Sequence, residues 1–166
     1  LEYKEVRKIE ELAIVIDTSE SCSGEYVRRF LEETFAILTN KDNFFRKMNV
    51  HIIQCDARAQ QDVILTCGDD LKAYMEHFQI KGYGGTDFRP AFEYVNELCR
   101  KKVFRHLKGL LYFTDGYGTY PARRPDYDVA FVFLEESYND RHVPPWAIKL
   151  ILGPEDIQMG GLDHEH

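Results

Sequence analysis

No hydrophobic run in this chain is longer than a strand. Gly109-Leu110-Leu111-Tyr112-Phe113 is among the longest, whereas crossing a bilayer takes about 20 apolar residues. A membrane span is therefore excluded, and no basic-then-apolar stretch opens the chain as a secretory signal would. Basic side chains are also in short supply. Lys and Arg number 21 against 28 Asp and Glu, a net charge of −7, and a nucleic-acid partner would need a basic face to displace counterions. Arg100-Lys101-Lys102 and Arg123-Arg124 read as a solvated helix end and a loop. Cysteines are few and scattered (Cys22, Cys55, Cys67, Cys99), with no Cys-x-x-Cys pair and no Asn-x-Ser/Thr acceptor. That pattern fits reduced thiols in a cytoplasmic protein. Finally, there is no Gly-x-Gly-x-x-Gly after the first strand, no P-loop and no His-Glu-x-x-His. The chain thus lacks the sequence machinery for dinucleotide, nucleoside triphosphate or zinc-peptidase chemistry.

What remains is an ordinary globular composition, 44% hydrophobic and 30% charged over 166 residues, enough for one well-buried core. Leu12-Ala13-Ile14-Val15-Ile16 is continuously apolar, as in a strand covered on both faces. A helical pattern follows from Glu20 to about Leu38, through Val27, Phe30 and Leu31. Asn49–Cys55 and Asp62–Thr66 read as strands, and the short link between them leaves no room for a crossover helix, so they form an antiparallel edge hairpin. Asp69–Phe78 and Asp87 to about Lys102 read as helices. Leu107–Thr114, Tyr127–Leu134 and Ala147–Leu152 read as strands, the last preceded by Pro144-Pro145. The expected fold is α/β: a Rossmann-like open twisted sheet, mainly parallel with one antiparallel edge strand, and helices on both faces. The organisation expected is an N-terminal extension over 1–10, a domain over 11–153 and a flexible tail over 154–166. The start at Leu1 and the polar end suggest a domain from a longer polypeptide.

The chemistry concentrates at strand ends. Asp17-Thr18-Ser19-Glu20-Ser21 follows the first strand and places a carboxylate and two hydroxyls at alternate positions. A hard divalent cation prefers such oxygen ligands. In open α/β sheets ligands bind beyond the carboxyl ends of strands, where strand order reverses. If the first and fourth strands flank that point, Asp17 and Asp115 converge there. Gly82-Tyr83-Gly84-Gly85-Thr86-Asp87 is a glycine-rich loop that can bring Thr86 alongside. Taken singly, Ser19, Ser21 and Thr86 are ordinary helix caps, and Asp115-Gly116 is an ordinary turn. Glu20 and Asp87 read as neighbours of the site rather than ligands.

Asp17-x-Ser19-x-Ser21, then Gly85-Thr86-Asp87, then Thr114-Asp115-Gly116, in that order, resembles the von Willebrand factor A (VWA) domain. The resemblance covers about residues 10–153. It implies a metal-ion-dependent adhesion site (MIDAS) in which Ser19, Ser21 and Thr86 bind the ion through hydroxyls and Asp17 and Asp115 act mainly through bound waters. The implied ion is Mg²⁺, with Mn²⁺ or Ca²⁺ as alternatives. With only two carboxylates the ion stays electrophilic, and an open position can accept a carboxylate from a partner protein. A helix starting near Ser21 would add favourable potential for that anion. Val143-Pro144-Pro145-Trp146 and Glu11–Asp17 further resemble the C-terminal VWA-like domain of a prokaryotic family in which a zinc-metallopeptidase-like domain precedes it. Some VWA proteins of this kind work with AAA+ ATPases of the MoxR group, which makes such an ATPase a candidate partner.

The function expected is a divalent-cation-dependent protein–protein interaction module, cytoplasmic and not itself catalytic, with neither nucleic acid nor membrane as partner. The alternative is a metal-dependent hydrolase or phosphatase using Asp17 and Asp115. Dehalogenase-type phosphatases need a second Asp two residues after the first, and this chain has Ser19 there. Tyr83, Tyr117 and Tyr120 lie on the loops expected to rim the ion. Cys22 reads as a bystander thiol, and His164 and His166 as part of the tail.

Overall fold

The computed structural model describes residues 10–18, 24–38, 48–79, 86–134 and 138–152. Six strands form one sheet: β1 (Glu10–Asp17), β2 (Met48–Cys55), β3 (Ala59–Leu65), β4 (Gly109–Phe113), β5 (Asp128–Leu134) and β6 (Ile148–Leu152). Their order is β3-β2-β1-β4-β5-β6. Only the β2–β3 pair is antiparallel, as the short link between them requires; β1 is parallel to both β2 and β4. The chain therefore leaves β1 in one direction and β4 in the other, and the switch point lies between their carboxyl ends.

The continuous apolar run of β1 has the expected cause. Ala13 through Ile16 are fully buried because the strand is central and covered twice. Ala13 and Val15 enter one core cluster, and Ile14 and Ile16 enter the other, as the two-residue period of a strand dictates. On the second face lie α1 (Gly24–Leu38), which buries Val27, Phe30 and Leu31 at helical spacing, and α2 (Gly68–Glu76), which buries Leu71. On the first face lies α3 (Arg89–Arg100), through Ala91, Phe92 and Val95.

One boundary differs from expectation, and one connection is unusual for its kind. α3 begins at Arg89 rather than Asp87, with Phe88 in the cap position and no side-chain cap. Pro90 sits in the first turn, where its missing N–H costs nothing. Also, residues 114–127, which join the parallel strands β4 and β5, contain no helix. Such a crossover usually is one. Here it is an irregular strap lying on the α3 face, held by Tyr120 and Tyr127 against the first core.

Candidate metal centre

Asp17 closes β1 and is fully buried. The parallel register pairs Ile16 with Phe113, so Asp17 and Thr114 leave adjacent strands side by side. The Thr114 hydroxyl donates to Asp17 Oδ2 at 2.6 Å and accepts the Gly116 N–H at 3.1 Å. One side chain thus orients the first carboxylate and shapes the turn carrying the second. Asp115, 9% exposed, accepts the Tyr117 N–H at Oδ1 (3.1 Å), and its carbonyl accepts the Asn139 N–H at 2.8 Å. No ion pair to Asp115 occurs among the described residues. Gly116 has φ +87°, and a β-carbon there would lie 1.9 Å from the Asn139 carbonyl oxygen, so only glycine permits this turn.

The third loop arrives by close packing. Phe88 N–H donates to the Thr119 carbonyl at 3.0 Å. A β-carbon on Gly118 would come within 2.7 Å of both Thr86 Cγ2 and Phe88 Cζ. Thr86 is therefore pressed against the strap that begins at Asp115. Because α3 starts later than expected, Thr86 does not cap it, and the ordinary reading of that threonine loses its basis. Asp87 instead makes a two-point contact with Arg89, Oδ1 to Nε at 3.0 Å and Oδ2 to Nη2 at 2.8 Å. These bonds hold its carboxyl below the usual range and commit it to Arg89.

Asp17 and Asp87 act on the same buried groups. Burial, then the charges of Asp56 and Asp17 and, more weakly, Asp87, push the Cys55 thiol up to about 12. Tyr112 is raised well above its ordinary value by burial first, with Asp17 and Asp87 adding to it. Cys55 is therefore an inert, protonated thiol. Cys55, Cys67 and Cys99 are all free. Asp56, a third buried carboxylate near the crevice, accepts from Arg58 N–H (3.1 Å) and Gln60 Nε2 (3.0 Å) and closes the β2–β3 turn.

The structure thus brings Asp17, Thr86 and Asp115 to one end of the sheet. Ser19, Ser21, Glu20, Cys22 and the Gly82–Gly85 loop with Tyr83 lie outside the described residues, as do His164 and His166. Tyr117 is 55% exposed, as a rim residue would be. Tyr120 is not on the rim: it packs edge-on against Phe88 (4.7 Å) and Phe131 (5.0 Å) and donates its hydroxyl to the Gly116 carbonyl at 3.1 Å. Sequence reasoning quoted Thr114 but gave it no role, although a hydroxyl in register with Asp17 was the available signal.

The donor set fits a hard cation. Two buried carboxylates at neighbouring strand ends repel each other unless positive charge comes between them. The oxygens that could supply coordination are Asp17, Asp115 and the Thr86 hydroxyl. No group of three or more His, Cys, Asp or Glu able to hold a metal occurs among the described residues. Any ion here would depend on hydroxyls and water as much as on carboxylates.

The family model of the VWA-like domain (DUF2201) matches residues 12–152. The chain belongs to this family. The fold agrees with that membership. Proximal thread matrix protein 1 from the mussel byssus, with a zinc-occupied MIDAS motif, is similar with a TM-score of 0.65 and 13% identity over 93% of this chain and 46% of that one. The ArnB paralog VWA2 from Sulfolobus acidocaldarius gives 0.64 and 14% over 92% and 43%. A von Willebrand factor type A protein from Catenulispora acidiphila gives 0.56 and 15% over 93% and 41%. This VWA-like domain spans less than half of each of those chains. No curated protein matches it. No helix among the described residues is long and apolar enough to cross a membrane.

Proposed function

We propose that this VWA-like domain is a divalent-cation-dependent protein-interaction module that works in the cytoplasm and is not itself catalytic. The observation that supports this best is the pair Asp17 and Asp115 at the switch point, the first fully buried and oriented by Thr114. In this reading Asp17, Ser19, Ser21, Thr86 and Asp115 hold Mg²⁺, or Mn²⁺ or Ca²⁺ in its place. The ion supplies a Lewis-acidic position for a carboxylate of a partner protein. Thr114 keeps Asp17 aimed, the Gly116 turn keeps Asp115 aimed, and the packing of Gly118 against Thr86 holds the third loop in place. By family resemblance the partner proposed is an AAA+ ATPase of the MoxR group.

The test is a thermal melt with Mn²⁺ or Mg²⁺ against EDTA. At about a hundredfold excess over Kd a ligand stabilises by about 2.7 kcal/mol, which for a domain of this size raises Tm by about 5–10 °C. Asp17→Asn and Thr86→Val should each abolish most of that rise. A wild-type melt unmoved by either ion would refute cation binding. Cation-dependent turnover of a generic phosphomonoester that Asp17→Asn abolishes would favour the hydrolase reading instead.

A further inference from the structure

Away from the cation crevice, a cavity of about 730 Å³ lies between α3 and the strap over 121–127. Four arginines line it: Arg89 and Arg100 from α3, Arg123 and Arg124 from the strap. Glu93 and Asp126 are the acids in its wall, so arginines outnumber acids in the lining of a chain whose net charge is −7, while Asp87, Glu97 and Asp128 each meet one of those arginines from outside the lining. The sequence alone suggested that Arg123-Arg124 and Arg100 were unrelated solvated ends. Replacing a crossover helix with an irregular strap is what brings them to one groove.

Three of the arginines are available, whereas Arg89 is held to Asp87 at two points. Arg124 pairs with Asp128 at 3.8 Å and Arg100 with Glu97, but their side chains are 64% and 69% exposed. Exposed pairs of this kind contribute little, so an incoming anion can exchange for the resident acid. Arg123 is exposed and makes no ion pair among the described residues.

Geometry selects the kind of anion. Arg89 and Arg100 are the first and last residues of α3, and at 1.5 Å per residue their backbones are roughly 16 Å apart. That span is too wide for one phosphate but matches about five residues of extended peptide. The lining contains no glycine and two prolines, Pro121 and Pro125. It therefore offers little of the backbone N–H cradle that nucleotide phosphates use. Its floor is apolar, formed by the buried rings of Phe92 and Tyr127, with the Tyr127 hydroxyl donating to Asn96 Oδ1 at 2.8 Å. Guanidinium forks around an aromatic floor suit side-chain carboxylates on an extended backbone. We propose that the groove between α3 and the strap binds an extended acidic segment, about five residues long, of a partner protein. This site is independent of the cation.

The test is fluorescence anisotropy with a labelled peptide of about five consecutive glutamates, in EDTA, against its glutamine counterpart and a single-stranded oligonucleotide of equal charge. The glutamate peptide should bind, the other two should bind at least about tenfold more weakly, and the double variant Arg123→Gln/Arg124→Gln should lose about tenfold. Because those side chains are exposed, an unchanged Tm verifies the fold of that variant. Glu93→Gln, which removes an acid from the wall, should tighten binding a few-fold and so reads the same surface with the opposite sign. Equal binding of the glutamine peptide or of the oligonucleotide, or indifference to the arginine substitutions, overturns the proposal. Binding that appears only when EDTA is replaced by Mn²⁺ overturns it too, while leaving the cation reading intact.

Discussion

The two faces of the sheet are built differently. The face under α1 and α2 is mainly aliphatic: Ile14, Ile16, Val27, Leu31, Val50 and Ile52 fill it, and its ring pairs among the described residues are Phe30 with Phe113 at 4.5 Å and, at its margin, Tyr74 with Phe78 at 5.8 Å. The face under α3 is aromatic. Phe88, Phe92, Tyr112 and Phe131 form a connected set, with Phe88 5.1 Å from Tyr112 and Tyr112 5.5 Å from Phe131. Among the described residues two helices cover the first face, whereas one helix and a strap cover the second. Large rings bury about 150–250 Å² each, so they fill the volume that a second helix would occupy. They also reach the crevice: Phe88 follows Thr86-Asp87, and Tyr120 follows Asp115 on the strap. The aliphatic face stabilises the domain, and the aromatic face in addition sets the positions of two loops of the candidate site.

The sharpest way to break that comparison is one large-to-small substitution on each side. Phe88→Ala removes a fully buried ring with three aromatic neighbours, Tyr112, Tyr120 and Phe131, and should cost about 3–5 kcal/mol. Leu31→Ala on α1 should cost about 2–5 kcal/mol. Chemical denaturation with and without Mn²⁺ separates them. Leu31→Ala should keep the full cation-induced increment, and Phe88→Ala should lose most of it. Equal increments in the two variants would mean that the aromatic face has no special tie to the site.

Gly118→Ala is a smaller perturbation aimed at the same tie. Its new methyl must displace Thr86 Cγ2 or the Phe88 ring, both within 2.7 Å. Overpacking of this kind costs about 1–3 kcal/mol. Because the displaced atom belongs to Thr86 or to the Phe88 ring that follows it, apparent Mn²⁺ affinity should fall as well, read as a higher midpoint in a Tm titration. A stability loss with an unchanged midpoint would confine Gly118 to packing.

How much of this was legible in the sequence depended on whether the cause was local. The run Leu12–Ile16 announces a central strand because both of its faces are buried, and the short β2–β3 link announces a hairpin because nothing longer fits. Those two facts put Asp17 at the end of a central strand; Asp115 joined it only if the first and fourth strands were neighbours, which the sheet order bears out. Contacts between distant segments were not legible. Gly118 is needed because Thr86, far away in sequence, sits beside it. The α3 start moved to Arg89 because Pro90 is best tolerated in the first turn, and the hydrophobic period alone does not show that. The strap has no periodicity at all, so its arginines could not be related to Arg100 until the fold related them.

The smallest effect expected is also specific to the aromatic face. Tyr112 is fully buried, and its hydroxyl faces the Cys55 thiol without a hydrogen bond of ordinary geometry. Burial raises its pKa well above 10, so the folded protein keeps the phenol protonated while the unfolded chain ionises near 10. The sign follows from proton binding. Below about pH 10 both states hold the proton and the full contribution is present; as pH rises past that value the unfolded state releases it, and stability falls. Tyr112→Phe removes that loss together with an unsatisfied buried hydroxyl. At pH 7 it should leave stability unchanged or raise it by up to about 1 kcal/mol, and urea unfolding from pH 7 to 11 should show the advantage widening. Among the described residues the aliphatic core has no fully buried phenol, so Ile14→Val should show a deficit of about 0.5–1.5 kcal/mol that does not change with pH. A Tyr112→Phe difference as flat as that one would mean that the phenol ionises as easily folded as unfolded, which its burial forbids.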